Sequence, residues 1–519
     1  MNQLFRLFLT TLLALTIAFA FNFFFLNLSE RPFVDQIFLI AFSTAALGYL
    51  IFSFWGTVFE LENVPRIIKN KFSSVSILPF LREHAPGIVL ALLFFAIYTF
   101  IGLKLNNLGV DTTDNFLDAD NSTWMTRISA PNGSALEMRG PHPFAYFIFR
   151  PLGWFLNLFT HNPPLSAILL TTFTGALCVF MAWIFIKRQF QDSTYALMIA
   201  SLLGLCTSHI FFGSVIETYI FSAAALIGFI LVMQKRTHFL LAPVTMSVIT
   251  FGITLTNFVQ NFIGFLVTQT LKVSHAEHQS DEAPKTLRVF LAKIFRFTAL
   301  TISLGILISL IHAAWFPSSK LFFLLSDAQA EEEFAFSIFQ EPVWRAVGRV
   351  LLLIRTILLY TVIAPRPYVF GEEVGGTFPR FNFFKIAPET FSYSSYDGLG
   401  NVLVLFWAVL LLISGLFFLR NIIRTRKADL SLAFALSILF NFVLHLNYGY
   451  EPFLYSPDWA YALIFFVAFS LAPLAKNRLF QGLALTFLVL LAYNQFQFFN
   501  FIFGTISLFL AKVYDVQVF

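Results

Sequence analysis

Long apolar segments separated by short polar connectors make up most of this chain. Phe5–Leu28 and Phe33–Trp55 are typical, and each is long enough to cross a bilayer as a helix. Basic residues gather in certain connectors, such as Arg420–Lys427, which the positive-inside rule assigns to the cytoplasm. The pattern predicts an all-α polytopic integral membrane protein with about 12–14 transmembrane helices in one multi-span domain, 1–519.

Two polar blocks interrupt the apolar pattern, residues 106–164 and residues 314–401. The alternation of basic connectors places both blocks on the face opposite the cytoplasm. Each block contains an apolar run that carries arginine, Phe144–Phe159 in the first and Val343–Ala364 in the second. Arginines within such a run cannot all point into lipid, so we expect helices that lie at the membrane interface.

Composition supports this class and excludes others. The chain is 58% hydrophobic and 12% charged, whereas soluble proteins are about one quarter charged. Cys178 and Cys206 both lie in apolar runs, so neither a disulfide framework nor a metal cluster is indicated. The sequence lacks the glycine-rich phosphate loop of pumps and kinases. We expect membrane lipid as a partner, and no nucleic acid.

The first polar block concentrates ionisable side chains at one membrane surface, which in a membrane protein suggests binding or chemistry there. These residues are Asp111, Asp114, Asp118, Asp120, Arg127, Arg139 and His142. Three further polar segments fall on the same face. They contribute Glu217 and Tyr219, Arg366 and Arg380, and Glu451 and Tyr455. We expect the four segments to meet around one cavity between the helices and water.

The string DADNSTWMTRIS, followed by RGPHPFAYFIFRPLG, resembles the first outer loop of membrane glycosyltransferases with the GT-C fold. The segments VIETYIFSAAAL and EPFLYSPDWAYA resemble later outer loops of the same superfamily, which includes protein mannosyltransferases and aminoarabinose transferases. The resemblance implies a polyprenyl-phosphate sugar donor and an essential Asp or Glu in the first loop. It implies a GT-C-like fold with outer-face loops and leaves the acceptor open, whether lipid, glycan or protein.

Such a transfer needs a general base for the acceptor and positive charge for the departing phosphate. Asp120 or Asp118 could be the base, and Asp120 is favoured because it stands at the predicted start of a helix. Asp118 lies in the looser approach to that helix. Arg139 and His142, or Arg366 and Arg380, could bind the phosphate. A divalent ion, Mg²⁺ or Mn²⁺, is possible, with Asp118 and Asp120 as its ligands.

Helical spacing places Trp124 and Arg127 on the same face as Asp120, which suggests a sugar subsite. Structural interpretations compete with these roles. Asp120 could be only a helix N-cap, and His142-Pro143 could simply start a helix. Glu217 precedes an apolar segment, where the helix dipole favours a carboxylate, and Tyr455 could belong to an aromatic interfacial belt.

Two functions remain open from the sequence. The first is a glycosyltransferase acting at the periplasmic or extracellular face of a bacterial plasma membrane. The second is a multi-span transporter or flippase of a lipid-linked or small polar substrate. Transporters place charge near the membrane centre, whereas here the charges gather in outer loops, so we favour the enzyme. The second polar block should act as a lid with a hinge at Gly375–Gly376.

Overall fold

The computed structural model is a bundle of long helices with one elaborated end. It describes residues 3–61, 77–106, 108–130, 138–234, 240–276, 283–371, 378–425 and 429–516. The hinge predicted at Gly375–Gly376 lies outside the described residues.

The helices follow one another along the chain with short connections. They are α1 (Gln3–Phe25), α2 (Phe33–Leu61), α3 (Ile77–Asn106), α4 (Asn121–Ser129), α5 (Ala145–Thr160), α6 (Pro163–Phe190), α7 (Ser193–Leu205), α8 (Thr207–Phe212), α9 (Tyr219–Gln234), α10 (Leu241–Ile253), α11 (Phe258–Ala276), α12 (Ala283–Trp315), α13 (Leu325–Gln329), α14 (Val343–Arg355), α15 (Gly398–Thr425), α16 (Leu430–Leu446), α17 (Pro457–Ser470) and α18 (Arg478–Val516).

Among the described residues, seven helices are long and apolar enough to cross a membrane: α1, α2, α3, α6, α12, α15 and α18. Five more apolar helices, α7, α9, α10, α16 and α17, have 10–17 residues each. The molecule is therefore a polytopic helical membrane protein, as the apolar pattern predicts. The larger number of about 12–14 spans remains a prediction.

Helix α6 is the most enclosed of the long helices. Its apolar window is 72% buried, against 17% for α15, so α6 is central and α15 peripheral. Buried small residues such as Ala182 and Cys178 let neighbouring helices approach it closely. On the peripheral helices large apolar side chains point outward, for example Phe24 at 73% exposed. That surface is suited to lipid.

Helix α18 covers a region where the sequence leaves two interpretations open, because Phe498–Leu510 could be a separate span or a segment on the surface. The sequence pattern separates Phe480–Tyr493 from a second apolar run, Phe498–Leu510, but the structure joins them in one helix of 39 residues. The polar pair between the runs does not end the helix, because both side chains bond to carbonyl groups of neighbouring segments. Asn494 donates to the Ala364 carbonyl at 3.1 Å and Gln495 to that of Leu205 at 2.9 Å.

The second polar block contains two small antiparallel hairpins that the all-α prediction misses. Strand β1 (Tyr368–Phe370) pairs with β2 (Arg380–Asn382), and β3 (Phe384–Ala387) pairs with β4 (Thr390–Tyr393). These strands have three or four residues, too few to give a recognisable alternation. They shape one side of the elaborated end.

Helix α14, in the same block, is strongly amphipathic. Val343, Val347 and Leu351 are 80%, 52% and 44% exposed and recur every four residues, so they form one apolar stripe. Arg349 lies on the opposite face and is 7% exposed. Its guanidinium donates to the carbonyl groups of His445, Tyr448, Gly449 and Tyr450. The predicted interfacial character of this segment therefore has a geometric basis, with the charge directed into the protein.

Helix α5 packs directly on α4. A Cβ atom at Gly153 would lie 2.3 Å from the carbonyl oxygen of Ile128, so only glycine permits this crossing. Arg150, the arginine that interrupts the apolar run, is 2% exposed and donates to the carbonyls of Arg127 and Ala130. This arginine thereby satisfies the C-terminal end of α4 and fixes the helix that carries the candidate site.

Candidate functional site

The acidic loop before α4 is fixed by buried side chains and by the second polar block. Phe116 and Leu117 are 0% and 1% exposed, and the Leu117 N–H donates to the Phe381 carbonyl at 3.0 Å. The Phe381 N–H in turn donates to the carbonyl of Asn115 at 2.8 Å. Because Phe381 is the central residue of β2, these bonds bring its neighbour Arg380 to the acidic loop.

Asp118 forms an ion pair with Arg380 across 262 residues of sequence, with Nη2 and Oδ1 2.7 Å apart. Its backbone is in the left-handed region, at φ 66°, which aspartate tolerates better than most residues. Burial raises the pKa of the carboxyl group, and Arg380 opposes that rise. The expectation that Asp118 sits in a loose approach is therefore wrong, because two blocks hold it.

Asp120 occupies the N-cap position of α4, as predicted, but its side chain makes no capping hydrogen bond. Its backbone N–H instead donates to Oε2 of Glu217 at 2.9 Å. Burial and the charge of Asp114 raise the pKa of the Asp120 carboxyl group, while Arg127 and Arg139 act to lower it. The simple N-cap interpretation is therefore wrong, and the carboxylate is available for another role.

Glu217 is buried beneath Asp120, in the turn between α8 and α9, with 2% of its surface exposed. Its Oε1 atom accepts from the backbone N–H of Thr218 at 2.8 Å and from the hydroxyl at 3.2 Å. Burial, followed by the charge of Asp120, raises the pKa of Glu217 to about 8. At neutral pH this carboxyl group holds the proton, which leaves Asp120 as the more acidic member of the pair.

Trp124 and Arg127 share a face of α4, as predicted, and the guanidinium lies 4.8 Å from the centre of the indole ring. Trp124 is only 1% exposed, and its ring meets those of His142 and Phe149 edge-on. The indole therefore forms a wall beneath the site, and its face is not open for stacking a sugar in this structure.

His142 does not supply the positive charge expected of a phosphate ligand. Burial lowers its pKa to about 3. The Nδ1 atom lies 2.6 Å from the carbonyl oxygen of Ile253 and, since a carbonyl only accepts, Nδ1 carries the proton. The neutral ring bridges the first polar block to the end of α10. The contacts of His142 in this structure are therefore those of a neutral ring that joins two segments.

Arg139 pairs with Glu331 of the second polar block. Its Nε donates to Oε1 at 3.2 Å, and its Nη2 donates to Oε2. The guanidinium also lies 3.8 Å from the ring centre of Phe334. Burial acts to lower the pKa of Arg139, but the bond to Glu331 outweighs it and the pKa is raised. The Tyr448 side chain interacts with both partners of this pair.

The segment around Glu451 completes the cluster. Glu451 is 3% exposed, its Oε1 accepts from the Phe453 N–H at 3.2 Å, and its Oε2 has no hydrogen-bond partner among the described residues. Burial, followed by the charge of Asp118, raises the pKa of this carboxyl group to about 8. Tyr455 lies nearby, with its ring centre 5.1 Å from that of Tyr219. The four predicted segments thus meet at one end of the bundle.

Arg366 is the predicted residue that stands apart. Its side chain is exposed, and its guanidinium lies 5.2 Å from the ring centre of Phe501 in α18.

Asp118 and Asp120 do not fit the divalent-ion site considered from the sequence. Arg380 already bonds to Asp118, and within the described part of the chain no group of three or more His, Cys, Asp or Glu side chains could hold a metal ion.

Three residues of the cluster were not predicted as site residues: Glu331, Tyr448 and Arg349. Glu331 is one of three consecutive glutamates, and the sequence does not show which of them faces inward. Tyr448 stands in an aromatic outer loop typical of an interfacial belt. The arginine inside the apolar run of α14 was a usable signal, because a charge in such a run must find buried partners or water.

A comparison with models of known protein families finds no family that matches this chain. A comparison with curated proteins likewise finds no match.

Proposed function

We propose that this protein is a membrane glycosyltransferase that moves a sugar from a polyprenyl-phosphate donor to an acceptor at the outer face. One observation carries the proposal: the carboxylates of Asp118 and Asp120 lie with Arg139 and Arg380 at one end of an apolar helical bundle. Paired carboxylates and arginines, drawn from separate polar blocks, suit a reaction between an anionic lipid and a polar acceptor.

The proposed chemistry divides between the two aspartates. Asp120 would accept the proton of the attacking hydroxyl or amine, since its side chain makes no cap and its pKa is raised toward the working range of a base. Asp118 would orient Arg380, and Arg380 with Arg139 would stabilise the negative charge on the departing phosphate. The phosphate leaves without needing a proton, so one base is enough.

The resemblance of the first polar block to the GT-C superfamily supports the same assignment. In that superfamily the donor is a polyprenyl-phosphate sugar, and an acidic residue of the first loop is essential. Here Asp118 bonds to Arg380 and the Asp120 N–H bonds to Glu217, so both aspartates contact other converging segments. The proposed location is the periplasmic or extracellular face of a bacterial plasma membrane.

The test is release of polyprenyl phosphate from labelled donors by the purified protein in lipid vesicles. We expect release with one class of hexosyl or pentosyl donor, and its loss in Asp120→Asn. An Asp111→Asn variant is the matched control, since Asp111 is exposed in the same loop and its bonds are to Thr113 and Ser122 of the same polar block. Equal release by wild type and Asp120→Asn would overturn the assignment of the base.

A transporter is the second candidate, favoured by a buried polar network at the break between α10 and α11. The Asn257 amide donates to the Ser222 hydroxyl at 2.6 Å and accepts from Gln260 at 2.8 Å. Both Asn257 and Ser222 interact with Asp458, which is 3% exposed. Interrupted helices beside an embedded carboxylate are typical of transporters. Substrate flux abolished by Asp458→Asn, without any effect on sugar transfer, would favour this function.

A further inference from the structure

The segment that follows α12 crosses the candidate site and is held at both of its ends. We define residues 321–338 as the strap. At its first part Asp35 of α2 accepts from the backbone N–H of Leu325 at 3.1 Å. At its last part the Phe336 N–H donates to the Asn447 carbonyl at 3.0 Å, and the Gly449 N–H donates to that of Phe334 at 3.0 Å. The strap therefore has fixed ends around a central turn.

That central turn directs one carboxylate inward. The strap carries three consecutive glutamates; Glu332 and Glu333 are exposed, whereas the Glu331 side chain is 17% exposed. Both carboxylate oxygens of Glu331 accept from Arg139, one from Nε and one from Nη2. We call this pair of donors the fork of Arg139. Among the described residues this is the one salt bridge that joins the strap to the first polar block.

The same fork matches a phosphate group. Arginine binds carboxylate and phosphate oxygens through the same pair of parallel N–H groups. The Arg139 side chain is 32% exposed, so a ligand has a way to approach it. Arg139 also acts on the pKa of Asp120, which places the fork within electrostatic reach of the proposed base.

We propose that Arg139 and Tyr448 form a phosphate-binding subsite, and that the Glu331 carboxylate is its internal occupant in this structure. An incoming phosphate group displaces Glu331 and takes both donors of the fork, together with the Tyr448 hydroxyl. The choice of polyprenyl phosphate as the ligand rests on the proposed function. The subsite itself rests on the contacts of these three residues.

The proposal and a purely structural role for the ion pair predict opposite changes in ligand affinity when Glu331 is replaced. If Glu331 only stabilises the strap, its replacement weakens the site and lowers affinity. If Glu331 competes with the ligand, Glu331→Gln removes a rival charge and raises affinity. We expect binding about two- to fivefold tighter, the range for removing one part-exposed ion pair that competes with the ligand. Glu332→Gln is the matched control, because Glu332 is exposed on the same turn.

The measurement is a titration of the full chain in lipid nanodiscs with polyprenyl phosphate that carries no sugar. We expect Glu331→Gln to bind more tightly than wild type, Glu332→Gln to equal wild type, and Arg139→Met to bind at least about tenfold more weakly. Affinity of Glu331→Gln equal to or below that of wild type would overturn the proposal. If that variant fails to fold, Glu331→Asp takes its place: its shorter side chain keeps the charge but loses the two-point contact, so a smaller gain is expected, and no gain overturns the proposal.

A second titration with inorganic phosphate identifies the source of the ligand. Tighter binding of both ligands by Glu331→Gln supports a subsite for the phosphate group alone, and tighter binding of the lipid only supports a headgroup site. Because neither titration requires turnover, the two proposals can fail separately. Tighter phosphate binding without any sugar transfer would leave the subsite standing and remove the glycosyltransferase.

Discussion

The backbone N–H of Asp120 donates to the Glu217 carboxylate at 2.9 Å, although the two residues are 97 positions apart. This bond joins the start of α4 to the turn before α9. Burial, followed by the charge of Asp120, raises the pKa of Glu217 to about 8, and the backbone bond acts against that rise. The backbone of the candidate base, Asp120, is thus bonded to the buried carboxyl group of Glu217, which is uncharged at neutral pH.

Replacing Asp120 by Asn should reduce sugar transfer on the order of a hundredfold or more, the usual effect of removing a general base. Insertion and thermal stability should change little, because the Asp120 side chain makes no capping bond that the protein would lose. Asp118→Asn should cost less, through loss of the ion pair that orients Arg380. Rates are measured in membranes with the true donor. A larger loss in Asp118→Asn than in Asp120→Asn would reverse the two assignments.

Replacing Glu217 by Gln should change how stability depends on pH. Burial raises the pKa of Glu217 from 4.5 to about 8, so the folded protein keeps a proton that the unfolded chain releases. The resulting stabilisation is complete below about pH 4.5, falls as pH rises, and is lost above about pH 8. The Tm of Glu217→Gln relative to wild type should therefore rise between about pH 5 and pH 8.5.

Asp111→Asn serves as the control for this titration. Hydrogen bonds from Thr113 lower the pKa of Asp111, so its effect on stability is lost only as pH falls through that lowered pKa, below the range tested. The Tm difference for this variant should stay flat across the whole range. A flat difference for Glu217→Gln as well would show that the buried carboxyl group is ionised throughout.

Cysteines on the strap and on the basic end of the bundle should react from opposite sides of the membrane. Gln329 is exposed on the strap, and Thr194 is exposed near the basic last turn of α6. Both native cysteines are buried, so they give little background. An impermeant thiol reagent applied outside intact cells should label Gln329→Cys and leave Thr194→Cys unlabelled. Labelling of both would contradict the predicted orientation.

The apolar stripe of α14 should lie among lipid acyl chains. A nitroxide attached at Val347→Cys should be reached by dissolved oxygen more readily than by a water-soluble relaxant. The control position is Arg345, which is exposed and pairs with Glu341 at 3.3 Å. A label at Arg345→Cys should show the reverse preference. Equal access of the aqueous relaxant to both positions would mean that α14 stands clear of the membrane.

The helices and the meeting of the four polar segments were predictable, because apolar length and the position of basic residues are local properties. The state of His142 was not, since its loss of charge depends on burial against Ile253, a residue of α10. The rigidity of Asp118 likewise depends on Arg380, which is 262 residues away. The continuity of α18 was not predictable either. Asn494 and Gln495 bond to carbonyl groups of other segments, and carbonyl partners have no sequence signature.

The length of α18 has a consequence for how the protein is made. Its 39 residues extend about 58 Å at 1.5 Å per residue, well beyond a hydrocarbon layer of about 30 Å. Residues of the second polar block pack on it, with the ring centre of Phe383 6.1 Å from that of Phe498. Translation completes that block before α18 emerges from the ribosome, because the block precedes α18 in the chain. Until α18 crosses the bilayer, Phe383 lacks this ring contact. The packing of the second polar block is therefore completed only once α18 is inserted, and a chain stalled before that helix should leave this block incompletely packed.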